Sequence, residues 1–246
     1  MSQSNSFLCD KAVIYRKNRV GQRQSMSRKV KLLTLLIAVL VVSLSVETYA
    51  WQTAGNNAQT NFIRIACVGD SITCGTSYPD DLWLMLGEKY VVGNFGNNGA
   101  TIFLNSSNPY MYTPAFKVAK AFSPQMVIIM LGTNDADPKL NETNAVFVSD
   151  YVLLVSKFQE LPSKPKVWIV TPPPIFNNTV GLSGAFLAQS IIPDIDQVAT
   201  STGVSVINVY APLVGHSAYF LDGVHPDING SLAVATLVYD ALNLQG

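Results

Sequence analysis

From position 62 onward, short apolar runs alternate with longer segments of helical spacing. The run Ile63-Arg64-Ile65-Ala66-Cys67-Val68 stops abruptly at Gly69-Asp70-Ser71. It predicts a buried strand that hands a serine to a turn at the carboxyl edge of a sheet. Tyr78-Pro79-Asp80-Asp81 opens a helix over about 79–89, with proline and acids where a first turn favours them. Trp83 and Met85 of that helix are expected in the core. A second strand at 90–94, a loop rich in glycine and asparagine at 95–101 and a helix over 114–122 follow. Met126-Val127-Ile128-Ile129-Met130-Leu131 has no polar face, so both faces must be covered, which predicts a central parallel strand. It ends in Gly132-Thr133-Asn134-Asp135, the same grammar as the first strand end. The spacing predicts a helix over 144–160 with Val148, Val152, Val155 and Phe158 facing the core. A fourth strand at 167–171 leaves through Pro172-Pro173-Pro174, which forces an extended exit. A mostly helical segment at 182–202 with a break near Pro193, a strand at 204–208 and a helix at 231–242 close the chain. This alternation predicts a three-layer α/β/α sandwich around a parallel sheet with right-handed crossovers.

Composition changes the picture mainly at the amino-terminal end. The chain has 246 residues, 48% hydrophobic and 13% charged, enough for one large core. Eight of its 16 basic residues and one of its 16 acidic residues lie in the first 31 positions, so 8 basic and 15 acidic remain. That mildly acidic remainder excludes a nucleic-acid surface, which needs clustered Lys and Arg. The uncharged run 32–46 follows Arg28-Lys29-Val30-Lys31 and precedes Glu47-Thr48-Tyr49-Ala50. A basic segment, an apolar segment and small residues at −3 and −1 make a secretory signal, with cleavage expected after Ala50. The alternative is a membrane anchor through 32–46, although that run is shorter than the roughly 18–20 residues that span a bilayer. A signal of ordinary proportions would begin at Met26. The expected organisation is a leader at 1–50, an exposed tail at 51–61 and one globular domain at 62–246. Cys67 and Cys74 are expected as two buried thiols rather than a bridge.

Candidate chemistry emerges from residues that are unremarkable singly. Gly-Asp-Ser also spells a capped turn, and Asn134 also suits an Asx-turn. The chain has two histidines, His216 and His225. Asp222 stands three residues before His225, close enough in a loop to bind Nδ1 and leave Nε2 to accept a serine proton. His216 has no such partner. A serine at one strand end, a glycine loop, an asparagine at a second strand end and Asp-x-x-His near the end of the chain together fill the roles acyl transfer requires.

These blocks, Gly69-Asp70-Ser71, the 94–101 loop with Gly99, Gly132-Thr133-Asn134-Asp135 and Asp222-Gly223-Val224-His225-Pro226, resemble in order and spacing those of the SGNH (GDSL-like) hydrolase family. The resemblance covers about 62–243. It implies a flavodoxin-like sheet, esterase or lipase chemistry, and neither metal nor cofactor. It also implies Ser71 as nucleophile, Asp222 and His225 as relay, and the Ser71 N–H, Gly99 and Asn134 as oxyanion donors. Gly96 is a weaker oxyanion candidate than Gly99. Ser71 lacks a G-x-S-x-G elbow, which argues against an α/β-hydrolase. The short second-block loop leaves little room for a fatty chain, and two strand exits are similar to those of sialate O-acetylesterase-like and acetylxylan-esterase-like members. The expectation is an exported carbohydrate deacetylase acting on a small-molecule or polysaccharide ester, with no nucleic-acid partner and no stable membrane partner. A lipase, lysophospholipase or thioesterase is the alternative, and a non-catalytic carbohydrate-binding protein the reading from another class.

Overall fold

The computed structural model describes residues 62–140 and 143–243 and, before them, Val30, Leu33, 35–37 and 39–43. The chain divides into two units, Met1–Thr60 and Asn61–Gly246. In the first, the described positions are helical and exposed. No helix among the described residues is long and apolar enough to cross a membrane. Most of the predicted signal, its cleavage position and all of the 51–61 tail lie outside the described residues.

In the second unit, β1 (Ile63–Gly69) runs into α1 (Ser71–Gly75) and α2 (Tyr78–Leu86), followed by β2 (Tyr90–Gly96) and α3 (Pro114–Ala121). Then come β3 (Met126–Met130), α4 (Asn144–Gln159), β4 (Lys166–Val170), α5 (Ile192–Thr202), β5 (Ser205–Ile207), α6 (Tyr210–Leu213) and α7 (Ile228–Asn243). The sheet has the order β2-β1-β3-β4-β5, and every pairing is parallel. Strand order reverses beside β1, which opens a crevice at the carboxyl ends of β1 and β3. Gly69 pairs with Gly96 on one side and Met130 on the other, so β1, β2 and β3 leave the sheet at one level.

Successive residues on a strand face opposite ways, and the core divides accordingly. Ala66, Val68, Val127, Ile129, Val167 and Ile169 join Phe116 of α3, Phe147 and Tyr151 of α4, and Ile195 of α5 in one apolar cluster. Ile65, Cys67, Ile128, Met130, Trp168 and Val170 join Leu82 of α2, Leu213 of α6, and Val234 and Val238 of α7 in the other. This is the predicted three-layer sandwich.

Several local expectations shift. Trp83 is 48% exposed and its indole N–H donates to the Tyr90 carbonyl at 2.9 Å, while its neighbour Leu82 is the buried residue. The fully buried face of α4 carries Phe147, Tyr151 and Leu154 beside Val155 and Phe158; Val148 and Val152 are partly buried at its edge. Both cysteines are free thiols, but Cys74 is exposed, because it lies on the outward side of the short α1. The helical segment does not break at Pro193. A π-type turn at Leu187–Ile191 precedes α5 and takes up the irregularity next to a residue that lacks an N–H.

Candidate active site

Ser71 is the first residue of α1, and Asp70 caps that helix by accepting the Ile72 N–H at 2.9 Å. The Ser71 N–H therefore belongs to the first turn and has no partner within the helix. Ser71 Oγ lies 2.8 Å from His225 Nε2, and His225 Nδ1 lies 2.6 Å from Asp222 Oδ2. Residues 154 positions apart thus form one hydrogen-bonded chain.

The loop bearing His225 is held on several sides. Asp222 Oδ1 accepts the backbone N–H groups of Val224 at 2.9 Å and His225 at 2.7 Å, so one carboxylate shapes the turn with one oxygen and holds the imidazole with the other. The Phe176 N–H donates to the Gly223 carbonyl at 2.8 Å, tying the loop to the chain that leaves β4 through the prolines. Asp227 Oδ1 accepts the Asn229 and Gly230 N–H groups at 2.9 Å and starts α7. Partial burial works to raise the Asp222 carboxyl, but the hydrogen bonds from the His225 ring and the two backbone N–H groups outweigh it and hold it down at about 2. It stays ionised, as a group that orients an imidazole and balances imidazolium charge must.

Gly99 and Asn134 reach the same cleft. Gly99 has φ of 69°, a left-handed backbone that glycine adopts without steric cost, and its N–H has no hydrogen-bond partner among the described residues. Asn134, in the turn after β3, donates one amide proton to the Ala100 carbonyl at 3.0 Å and keeps the other. Gly96 is not a donor to the cleft, because its N–H is taken by Asn94 Oδ1 at 3.0 Å. Ser71, His225, Gly99 and Asn134 line one open cleft of about 650 Å³. Thr76, Asn98, Thr101, Ser106, Ser107 and Asp137 supply polar groups to its wall, and Leu140, Val180, Leu182 and Val224 supply apolar ones. His216 is not among the lining residues and stacks instead on Tyr219, with centroids 5.0 Å apart.

Sequence reasoning missed the electrostatics underneath. Burial pushes the Asp70 carboxyl up to about 6 against the opposing Ile72 hydrogen bond. Burial pushes Asp135 up to about 7, opposed by hydrogen bonds from the Ile102 and Phe103 N–H groups, while the nearby Asp70 charge adds to the rise. For Asp70 the available signal is an acid directly after the apolar run of β1; Asp135 stands beyond the end of β3 and has no such mark. Among the described residues, no cluster of three or more His, Cys, Asp or Glu could hold a metal ion.

An acetylxylan esterase from Xylanibacter ruminicola is 30% identical over 206 residues, which cover 73% of this chain. The match spans 43% of that relative, so the chain corresponds to less than half its length. Among solved structures, a carbohydrate acetylesterase from Sinorhizobium meliloti superposes with a TM-score of 0.62 at 18% identity, covering 75% of this chain and 100% of that one. A lipase/acylhydrolase from Enterococcus faecalis gives 0.62 at 20% identity, covering 75% and 97%. These two likenesses carry the fold. The profile of the GDSL-like Lipase/Acylhydrolase family matches residues 67–231, from within β1 to within α7 and across every block that builds the cleft, and the chain belongs to that family.

Proposed function

We propose that the chain is a serine esterase that removes a small acyl group, acetyl, from a carbohydrate. The observation that carries this reading is the unbroken chain Ser71–His225–Asp222 opening into a cleft walled by hydroxyl, amide and carboxylate groups. Ser71 Oγ attacks the ester carbonyl as His225 Nε2 takes its proton. The new oxyanion is met by N–H groups of Ser71 and Gly99 and by the free amide proton of Asn134. His225 then protonates the departing alcohol, water attacks the acyl-serine by the same route, and the serine is regenerated.

The acetylxylan esterase relative supports an acetylated sugar as substrate. The polar wall supports it too, because a substrate without hydroxyls would leave those groups unpaired on binding. The apolar strip of Leu140, Val180 and Leu182 favours a second reading, an acyl ester of a longer chain. Export is part of the proposal and rests on the basic 28–31 segment, the uncharged 32–46 run and the small residues before Trp51.

Hydrolysis of p-nitrophenyl acetate, butyrate and octanoate by wild type and Ser71→Ala tests the chemistry, with release of acetate from acetylated xylan beside it. Acetate preference, acetate release from the polymer and loss of both in Ser71→Ala are expected. Preference for octanoate would move the substrate to lipids, and sugar binding without serine-dependent hydrolysis would make the chain a binding protein. A secreted product beginning at Trp51 is expected; a membrane-bound product retaining 1–50 would overturn export.

A further inference from the structure

We propose that Asp135 is a positioning residue for the oxyanion hole, its buried carboxylate fixing the chain segment that carries the Gly99 N–H. The inference rests on the esterase reading above. Asp135 Oδ1 accepts the Ile102 N–H at 2.8 Å and the Phe103 N–H at 3.0 Å, and Oδ2 lies 3.1 Å from the Ile102 nitrogen. The residue is 0% exposed. Its neighbour Asn134 holds the Ala100 carbonyl, so two consecutive residues at the end of β3 grip the loop at two points immediately after Gly99.

Between β2 and α3 the loop belongs to none of the five strands. Most of its other ties are within itself: the Ala100 N–H to the Asn97 carbonyl at 3.0 Å, the Thr101 N–H to the Asn108 carbonyl at 3.1 Å, the Tyr110 N–H to the Thr101 carbonyl at 2.9 Å and the Asn108 side-chain amide to the Asn98 carbonyl at 2.8 Å; the Asn97 N–H reaches the Gly69 carbonyl of β1 at 2.9 Å. Asn134 and Asp135 add the link from this loop to the end of β3. Ile102, Phe103 and Leu104 present three successive N–H groups, and all three end on carboxylates, the third on Asp150 Oδ2 of α4 at 2.9 Å. An acid supplies acceptor capacity on both oxygens, whereas an amide supplies it on one. Burying a carboxylate is costly, as its raised affinity for a proton records. The titratable groups facing it are Asp70, from the turn after β1, and Tyr151, from α4. A cost of this kind beneath the loop that brings Gly99 to the cleft fits alignment of the Gly99 donor, since small misplacements of catalytic groups are expensive in rate.

The test uses the full chain and p-nitrophenyl acetate, with kcat expressed per serine titrated to endpoint by a fluorophosphonate, so that unfolded protein is not counted. Asp135→Ala is expected to lower kcat about 30-fold or more with KM within about threefold, because the donors act on the transition state. Asp135→Asn keeps one acceptor oxygen for Ile102 and Phe103 and is expected to lose less, about 3–10-fold. Asn134→Ala should cost less in the Asp135→Ala background than in wild type, since both residues act through one segment. A fall in kcat of less than about threefold in Asp135→Asn and Asp135→Ala, a KM that rises in step, or full additivity with Asn134→Ala would overturn the proposal. If Asp135→Ala does not fold, the Asp135→Asn kcat decides by the same threefold limit. Failure of the esterase reading is a separate result, because wild type would then lack Ser71-dependent hydrolysis altogether.

Discussion

A Cβ on Gly96 would lie 2.3 Å from the Cys74 backbone nitrogen and 2.7 Å from the Asp70 carbonyl oxygen. The end of β2 therefore touches the backbone of α1 on both sides of Ser71, and only glycine allows that approach. The clash is with backbone and cannot be relieved by a rotamer change. Gly96→Ala is expected to destabilise the fold by about 1–3 kcal/mol, the usual cost of overpacking, and to displace Ser71 from His225. Urea unfolding together with kcat measures both. A variant with wild-type stability would mean that α1 moves freely, which its Asp70 cap and the Asn94 side chain bound to the Thr73 carbonyl at 2.7 Å argue against.

Asn134→Ala removes the tie to the Ala100 carbonyl and, in the proposed mechanism, one donor to the oxyanion. A loss of about 10²–10³ in kcat is expected, with KM nearly unchanged, as for other oxyanion donors. Near-normal kcat in a folded variant would take Asn134 out of the mechanism.

His216→Ala provides the contrast. His216 is exposed, stacks on Tyr219 and does not line the cleft. Its replacement should leave kcat/KM for p-nitrophenyl acetate within about twofold, in keeping with surface substitutions generally. A large loss would show that the one other histidine reaches the chemistry.

What the sequence makes legible here follows periodicity and strand ends. The apolar runs of β1 and β3 can be read because both faces of a central parallel strand are covered, leaving little room for polar residues. Ser71 and Asn134 can be read because each follows such a run. Gly99 and Gly96 cannot be separated by composition: one lines the cleft with an N–H unpaired among the described residues, the other has its N–H bound to Asn94 and backbone packed on its Cα, and both read as glycines in one loop. Asp135 is invisible as a buried acid, because its partners are backbone N–H groups 32 and 33 residues away, which carry no side-chain signature. Trp83 misleads for a related reason: a large aromatic suggests burial, yet its N–H reaches a carbonyl at the edge of the sheet.

Asp222→Asn tests the relay. An amide can keep the turn by accepting the Val224 and His225 N–H groups, but it places a donor or an uncharged oxygen opposite Nδ1. The imidazole then favours the wrong tautomer and loses its counter-charge. A fall of about 10⁴ in kcat is the reference for such a change, with the fold retained. Circular dichroism and kcat together check it, and a loss below about tenfold would assign Asp222 to shaping the turn alone.

The two buried acids predict how stability responds to pH. Asp70 and Asp135 hold their protons in the folded state up to about 6 and about 7, whereas an unfolded aspartate releases its proton near about 4. Between those limits the folded state binds more protons than the unfolded one, so stability falls as pH rises. Their contribution is fully present below about 4 and lost above about 7. Asp222 runs the other way: held at about 2, its contribution is complete above about 4 and disappears only as pH falls towards 2, so it adds no slope in the window of interest. Urea midpoints of the Ser71→Ala protein between pH 5 and pH 8, about the window the two acids span, should therefore decline as pH rises. Adding Asp135→Asn should flatten that decline. Adding Asp70→Asn should also move the remaining titration to lower pH, because the Asp70 charge is one of the influences that raise Asp135. Identical slopes in all three proteins would mean that neither carboxyl changes its proton affinity on folding.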